Sequence, residues 1–296
     1  MIKGKKWSIF SDDNLVKEML LDIGGVIQQN KNEKASLLWV VKIGNSNFSM
    51  YDNGTLFSYP SNDENLNTIR KQISEKFGTS YQFPDQDVLI GIDETGVGEM
   101  LGDLVLSIVS YPKKLHNELE SILSVSDTKN KRSFSYWDNL YSELKPYLNK
   151  EIICTTEIIS YSTLGRLSPH KIMNIVYPIM LKNFIQNLNS TKCSIVIDDY
   201  GIDEKFKTLL SELKNQQYQI KVENGADERH LEVKLASVLA KYERMRLLSV
   251  YDKKYSLEGN GIGSGHIEDE VTKKWIRLWK KTKRPWPDFV KKWLIQ

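Results

Sequence analysis

Several acidic residues lie at the ends of apolar runs typical of strands, or at the start of a helical pattern. They are Asp93, Glu94, Asp198, Asp199 and Asp227. In an α/β sheet, groups beyond the ends of strands converge on one crevice. Carboxylates gathered there repel one another, and hard divalent cations such as Mg²⁺ or Mn²⁺ relieve that repulsion. Two such ions about 4 Å apart suit phosphodiester hydrolysis. Each acid taken alone is more simply explained as a helix cap or a turn residue.

The elements that must position these acids follow from the periodicity of the apolar residues. Short apolar runs predict strands at 88–96, 103–111, 151–159, 193–198 and 218–223. Apolar residues at helical spacing predict helices over 168–188, 204–214 and 231–249, and two basic helical stretches close the chain. Strands that alternate with helices indicate an α/β architecture with a mixed sheet flanked by helices.

The N-terminal part of the chain has a different pattern. Residues 38–59 alternate apolar and polar side chains around tight turns, which predicts short antiparallel strands, and 63–77 predicts an amphipathic helix. The segment 78–87 contains Gly, Pro and Asp without periodicity and is typical of a linker. We therefore expect a small α+β domain at 1–83 and a larger α/β domain at 84–296.

Composition excludes several classes of protein. The chain has 296 residues, of which 40% are hydrophobic and 27% are charged, values that are ordinary for globular domains. No apolar run approaches the roughly 20 residues that cross a bilayer, so no membrane association is expected. There is no signal-peptide pattern, and the two cysteines, Cys154 and Cys193, are too few for a disulfide framework, so we expect a cytoplasmic protein.

The net charge of +3 conceals a basic C-terminal segment. Residues 271–296 hold nine lysines and arginines against one acid, interleaved with Trp275, Trp279, Trp286 and Trp293. Such a segment could bind a polyanion through cationic and aromatic groups. A solvated basic helix whose tryptophans pack onto the core explains it as well, and for the tryptophans packing is the commoner arrangement.

Five motifs in register add a resemblance to the type 2 ribonuclease H family, which includes ribonucleases HII and HIII. They are GIDETGVGEMLGDLV, LSVSDTKNKRSFSYWDNL, IVIDDYG, ADERHLEVKLASVLAKYERMR and the C-terminal pair GSGHIEDEVTKKW and RPWPDFVKKW. Together they cover residues 88–293 in the family's order. The resemblance implies a ribonuclease H-like fold and an endonuclease that cuts the RNA strand of RNA–DNA hybrids, leaving 5′-phosphate and 3′-hydroxyl ends.

The resemblance also implies roles for individual residues. Asp93, Glu94, Asp198 and Asp227 map to the family's catalytic acids, which hold two Mg²⁺ or Mn²⁺ ions. Asp93 would bridge both ions, Glu94 and Asp198 would hold the ion at the leaving oxygen, and Asp227 would hold the ion at the attacking water. The residues implied in substrate binding are Gly96, Val97, Gly98, Thr128, Lys129, Arg229 and His266.

Within the family the chain is most similar to ribonuclease HIII, which places a small TATA-box-binding-protein-like domain for substrate binding ahead of the catalytic one and acts as a monomer. Three positions depart from the family's patterns. Val97 stands where ribonuclease HII has Arg, which makes cleavage at a single ribonucleotide doubtful. His266 replaces a Tyr that stacks on a sugar, and Glu99 stands where ribonuclease HIII usually has Asp.

Three alternatives remain open on the sequence. The first is a metal-dependent nuclease of the same fold that acts on another nucleic acid, such as single-stranded DNA or double-stranded RNA. The second is a non-catalytic nucleic-acid-binding protein that uses the N-terminal domain and the basic segment. The third is a subunit of a larger assembly. Retention of all four acids argues against a mere binder, because buried like charges would repel a phosphate backbone.

Overall fold

In the computed structural model, the residues described are 5–8, 13–28, 37–51, 55–58, 63–76, 86–123, 133–162, 167–188, 190 and 192–292. The chain divides into two compact units, one formed by residues 1–84 with 120–126 and the other by residues 85–119 with 127–296. The predicted linker falls mostly outside the described residues.

The first unit is an antiparallel sheet with two helices. Its elements are β1 (Lys5–Ser8), α1 (Asp13–Asp22), β2 (Val26–Ile27), β3 (Leu37–Ile43), β4 (Ser46–Tyr51), β5 (Thr55–Ser58) and α2 (Glu64–Lys76). The sheet has the order β1-β5-β4-β3-β2, and every neighbouring pair is antiparallel. The predicted strands and helix of this part are confirmed, and β1, α1 and β2 are additional elements that were not predicted.

The core of the first unit follows from alternation along its strands. In β3, buried positions alternate with more exposed ones, as expected when one face of a sheet packs on helices. In β4, Phe48 and Met50 join the core, and Ser49 between them is buried as well. The buried apolar residues are Val16, Leu20, Trp39, Val41, Phe48, Met50, Leu56, Leu66 and Ile73. Both helices therefore contribute to one small hydrophobic core.

The second unit is a mixed five-stranded sheet. Its strands are β6 (Val88–Thr95), β7 (Leu104–Pro112), β8 (Ile153–Ile159), β9 (Cys193–Asp198) and β10 (Gln219–Glu223), in the order β10-β9-β6-β7-β8. The pairs β6–β9 and β9–β10 are parallel, whereas β6–β7 and β7–β8 are antiparallel. The predicted α/β class with a mixed sheet is thus confirmed, and β6, which carries Asp93 and Glu94, is the central strand.

Helices flank this sheet. The helices that follow β7 along the chain are α3 (His116–Leu123), whose residues 120–123 fall in the first unit, α4 (Phe134–Leu144), α5 (Pro169–Gln186), α6 (Glu204–Asn215), α7 (Ala226–Arg229), α8 (Leu231–Tyr255) and α9 (Glu270–Thr282). Ile90 and Ile92 of β6 join a core with residues of α5 and α6. Helix α8 packs on β6 and β7. A Cβ atom at Gly91 would lie 2.1 Å from the carbonyl of Glu232, so only glycine allows α8 this close to β6.

The C-terminal segment corrects one prediction. Only one basic helix, α9, closes the described chain, and residues 283–292 form turns and a single bridge between Val290 and Leu101. Lys283 adopts a left-handed conformation (φ 57°) after α9, and Pro285 and Pro287 follow it, which prevents the helix from continuing. Trp275 and Trp279 are buried and Trp286 is partly buried against them, which confirms their packing role, whereas Trp293 lies outside the described residues.

Candidate active site

The strand register brings three of the predicted acids to one edge of the sheet. Ile92 of β6 pairs with Ile197 of β9, so that Asp93 and Asp198 follow on neighbouring parallel strands. The Oδ1 atom of Asp198 accepts a hydrogen bond from the backbone N–H of Ala226 (2.8 Å), at the start of α7. The next residue of that short helix is Asp227. The cluster is therefore built from the ends of two strands and a helix that one of the acids anchors.

Burial and repulsion act strongly on Asp93. Its side chain is 5% exposed, and that of Asp227 is 7% exposed. Burial raises the pKa of Asp93 to about 7; a hydrogen bond with Ser237 opposes this shift, and the negative charges of Asp227 and Asp198 add to it. A carboxylate at this position is therefore costly unless a positive charge accompanies it.

Glu94 points to the other face of β6, because consecutive strand residues alternate. Burial raises its pKa well above the usual value, and the charges of Asp93, Asp198 and Asp227 raise it further. Its Oε2 atom is buried and has no hydrogen-bond partner among the described residues. The other three predicted acids thus all act on Glu94, which also has an acceptor atom that the described residues leave unsatisfied.

The donor set fits a divalent cation, although it is not preassembled around one. In the part of the chain that the structure describes, no three His, Cys, Asp or Glu side chains are already arranged to hold a metal ion. The unsatisfied Oε2 atom of Glu94 and the mutual repulsion of the acids are what a hard cation with oxygen ligands would relieve. Asp93, Glu94, Asp198 and Asp227 are the residues that would hold it.

Three residues at this site were missed from the sequence. On α8, Lys241 donates a hydrogen bond to Ser237 (3.0 Å), and its positive charge lowers the pKa values of Asp93 and Glu94. From α5, the hydroxyl of Tyr177 donates to the backbone carbonyl of Asp93 (2.7 Å). The spacing of four between Ser237 and Lys241, which puts them on one face of a helix that follows Asp227, was the available signal.

The predicted loop at residues 96–98 follows directly from β6. Gly96 has a φ of 98°, and a Cβ atom there would lie 2.4 Å from the carbonyl oxygen of Asp103, so both its conformation and its surroundings require glycine. Val97 is half-buried and packs against the main core, whereas Gly98 is exposed. Its neighbour Glu99 lies 3.9 Å from Arg244.

Two predicted substrate residues have partners within the protein. His266 accepts a hydrogen bond from the backbone of Glu268 (3.2 Å), and it is among the residues near enough to lower the pKa of Glu99, so it lies near the 96–98 loop. Arg229 lies 3.3 Å from Glu223 and donates to the carbonyl of Asn224. His266 therefore lies beside the 96–98 loop, and Arg229 is held by contacts with residues at the end of β10.

Of the remaining residues considered from the sequence, only Asp199 lies within the described residues. Thr128 and Lys129 lie outside the described residues. Asp199, which was not assigned to the catalytic set, accepts hydrogen bonds from the backbone of Gly201 (2.9 Å) and Ile202 (3.4 Å) and so stabilises the turn after β9.

A mixed sheet whose central strands end in clustered acids is the architecture of the ribonuclease H class of nucleases. The family model described as Ribonuclease HII matches residues 90–294. The chain belongs to this family, which confirms the predicted type 2 ribonuclease H resemblance, and it is therefore a hydrolase of the endonuclease kind. This family depends on divalent metal ions. None of the helices in the described residues is long and apolar enough to cross a membrane.

Individual relatives agree with this assignment. Ribonuclease HII from Methanobrevibacter smithii is 31% identical over 210 residues, which cover 69% of this chain and 93% of the relative. The crystal structure of ribonuclease H2 from Pyrococcus horikoshii OT3 superimposes with a TM-score of 0.54 at 24% identity, over 69% of this chain and 92% of that chain. RNase H3 from Aquifex aeolicus aligns over 98% of this chain and 100% of its own, with a TM-score of 0.52 and 19% identity. Solved neighbours are thus of both kinds, and the HIII-like assignment stays a prediction.

Proposed function

We propose that this protein hydrolyses the RNA strand of RNA–DNA hybrids with two divalent metal ions, Mg²⁺ or Mn²⁺, leaving 5′-phosphate and 3′-hydroxyl ends. The observation that carries the proposal is the cluster of Asp93, Glu94, Asp198 and Asp227, whose members raise the pKa values of Asp93 and Glu94. Such an arrangement costs stability and is retained where the charges have a catalytic use.

The protein's own residues supply the positioning. Asp93, Glu94, Asp198 and Asp227 would hold the ions, which when bound supply Lewis-acid stabilisation of the phosphate and a nucleophilic water. Tyr177 fixes the backbone of Asp93, and the N–H of Ala226 fixes the carboxylate of Asp198. Lys241 offsets part of the negative charge from α8.

The division of labour between the two parts of the chain is also proposed. Residues 84–296 would form the catalytic domain, and residues 1–83 a substrate-binding domain like the TATA-box-binding-protein-like domain of ribonuclease HIII. The alignment with RNase H3 from Aquifex aeolicus along nearly the whole chain supports this architecture. As in that architecture, we propose a monomer, and the free thiols of Cys154 and Cys193 agree with a cytoplasmic setting.

The first experiment is cleavage of a labelled uniform RNA–DNA hybrid, with Mg²⁺ and separately with Mn²⁺, by the wild type and by Asp93→Asn. We expect cuts in the RNA strand only, and a loss of about 10³-fold or more in the variant, equivalent to about 4 kcal/mol of transition-state stabilisation. Asp138→Asn makes the same chemical change on the exposed face of α4 and should retain activity. An inert wild type that binds the hybrid tightly with both metals present would favour the binding-protein alternative.

A substrate panel separates the remaining alternatives. The same enzyme is tested on RNA–DNA hybrid, double-stranded RNA, double-stranded DNA, single-stranded DNA and a DNA duplex with one ribonucleotide. We expect cleavage of the uniform hybrid and little of the single-ribonucleotide duplex, because Val97 cannot make the polar contacts of an arginine. Preferential cleavage of double-stranded RNA or single-stranded DNA would establish the alternative nuclease.

A further inference from the structure

A lysine that the charge pattern assigns to a solvated basic segment is in fact fully buried. Lys291 has 0% of its side chain exposed. Its Nζ atom donates hydrogen bonds to the carbonyl oxygens of Gly96 (2.5 Å) and Val97 (2.7 Å), and it lies 4.4 Å from the centre of the Tyr161 ring. The hydroxyl of Tyr161 donates to the same carbonyl of Gly96 (2.7 Å). Two side chains distant in sequence therefore meet at the 96–98 loop.

The backbone around Lys291 is itself held in place. Its N–H donates to the carbonyl of Met100 (3.0 Å), and the N–H of Gly102 donates to the carbonyl of Phe289 (2.8 Å). Leu101 and Val290 form a bridge between these two contacts. Residues 100–102 and 289–291 are thus paired, and the Lys291 side chain reaches from this pairing to the loop.

The direction of the two carbonyl groups has a consequence for the loop's amides. In a planar trans peptide the C=O and the following N–H point in opposite directions. Because the carbonyls of Gly96 and Val97 face Lys291 in the interior, the N–H groups of Val97 and Gly98 face away from it. Neither N–H has a hydrogen-bond acceptor among the described residues. Gly98 is exposed, and a Cβ atom there would meet nothing within 4 Å.

We infer that Lys291 is a positioning residue for the proposed reaction: its buried amino group holds two loop carbonyls inward and so presents two loop amides, next to the carboxylates, to an acceptor on the substrate. The inference rests on the proposed function. The acceptor chemistry is a sugar or phosphate oxygen, and an amide pair in fixed register selects a strand that offers a 2′-oxygen. Tyr161 is the second positioning residue, because it binds the same carbonyl.

The hydrogen bonds do not depend on the charge of Lys291. Burial lowers the pKa of Lys291 to about 7, Arg244 lowers it as well, and Glu99 acts in the opposite direction. A neutral amine still carries two N–H groups, which is the number of carbonyl acceptors that it meets. The positioning is therefore expected to persist on both sides of neutral pH.

The test measures the preference for RNA–DNA hybrid over DNA duplex of the same sequence. All proteins carry Asp93→Asn to prevent turnover, and dissociation constants are measured by fluorescence anisotropy with Mg²⁺ present. Lys291→Met should reduce the ratio of the two affinities by about tenfold, because the loop amides lose their fixed direction. Lys292→Met removes the same side chain from the adjacent, exposed position and should leave the ratio unchanged, whatever it does to both affinities.

The outcomes distinguish a failure of the inference about Lys291 from a failure of the proposed function. A purely structural role for Lys291 would lower the active fraction or the melting temperature without changing the ratio, and that result would overturn the inference. Where Lys291→Met fails to fold, Tyr161→Phe decides, because it removes one hydroxyl and keeps the ring; an unchanged ratio there also overturns it. A wild type that does not cleave the hybrid in the cleavage assay would contradict the proposed function instead. The binding ratios alone would not contradict it.

Discussion

Two groups of buried charged side chains in the second unit are satisfied in opposite ways. The acids around Asp93 are buried against their own repulsion, and Glu94 keeps an acceptor atom without a partner among the described residues. The cations Arg244 and Lys291 instead meet backbone carbonyls: the Nη2 atom of Arg244 donates to Leu101 (2.7 Å), and Lys291 donates to Gly96 and Val97. The Nε atom of Arg244 has no hydrogen-bond partner among the described residues.

We interpret the difference as one between side chains that stabilise loops and side chains for which we propose a catalytic role. Buried cations that meet acceptors fix the loops that contain those acceptors, and removing such a cation leaves carbonyls unpaired. The mutual repulsion of buried acids opposes folding unless a positive charge binds between them. The cations therefore stabilise the loops around the site, and the acids are the residues that we propose to be catalytic.

The largest expected effect on stability comes from breaking the cationic group. Arg244→Met removes the hydrogen bond to the carbonyl of Leu101. It also removes one of the two cations, Arg244 and Lys291, that lower the pKa of Glu99 against the effect of burial. We expect a loss of about 3 kcal/mol in the free energy of unfolding of the second unit. Urea unfolding followed by tryptophan fluorescence measures it, because Trp275 and Trp279 lie in this unit's core.

Arg246→Met is the matched control for that prediction. Arg246 lies two residues further along α8, is exposed, and pairs with Glu243 on the same helix. An exposed pair of this kind contributes about 0.5 kcal/mol. Equal losses in the two variants would show that Arg244 is no more structural than a surface arginine, and the contrast drawn above would fail.

The acidic group should respond to metal in the way that the cationic group cannot. At a Mg²⁺ or Mn²⁺ concentration of about a hundred times the dissociation constant, the free energy of unfolding should rise by about 2.7 kcal/mol. In metal-free buffer Asp93→Asn should be at least as stable as the wild type, because it removes one of the repelling charges. Thermal unfolding with and without metal measures both effects.

Two results would contradict this prediction. If metal raised the melting temperature of Asp93→Asn as much as that of the wild type, the ions would be binding elsewhere. If Asp93→Asn were strongly destabilised without metal, the carboxylate of Asp93 would be a structural group. Ca²⁺, which prefers more ligands and longer distances, is a useful comparison ion for the site's selectivity.

The sequence was sufficient for the acidic group and insufficient for the cationic one. Asp93 and Asp198 could be placed together because apolar runs reveal strands and the ends of parallel strands share an edge. The burial of Lys291 could not be anticipated, because its partners are backbone carbonyls of Gly96 and Val97, far away in sequence. A count of charged residues treats every lysine as exposed to solvent. Only the tertiary structure shows that Lys291 is buried.

The same limit explains the error in the C-terminal segment. The basic, tryptophan-containing pattern continues past α9, but Lys283 and the two prolines after it end the helix, and the following residues reach back to Leu101. Apolar periodicity predicts which residues are buried, but it does not predict which part of the protein they pack against. The burial of Trp275 was therefore predictable, whereas the return of Val290 to the loop region was not.

The smallest expected effect concerns pH and distinguishes Lys291 from an ordinary lysine. Its pKa is about 7 in the folded protein against 10.5 ordinarily, so between these values the unfolded chain holds a proton that the folded chain has released. Stability rises with pH wherever the unfolded state binds more protons. Over the single pH unit from 7 to 8, the free energy of unfolding of the wild type, relative to Lys291→Met, should therefore increase by about 1 kcal/mol.

Taking the difference between the two proteins cancels every other group that titrates in this range. The same difference measured for Lys292→Met should be flat, because this side chain is exposed to water in the folded protein, as it is in the unfolded chain. A flat difference for Lys291→Met would mean that the amino group stays charged in its buried position. The carbonyls of Gly96 and Val97 together with Glu99 would then compensate its burial fully, and the cationic group would hold the loop by charge as well as by hydrogen bonds.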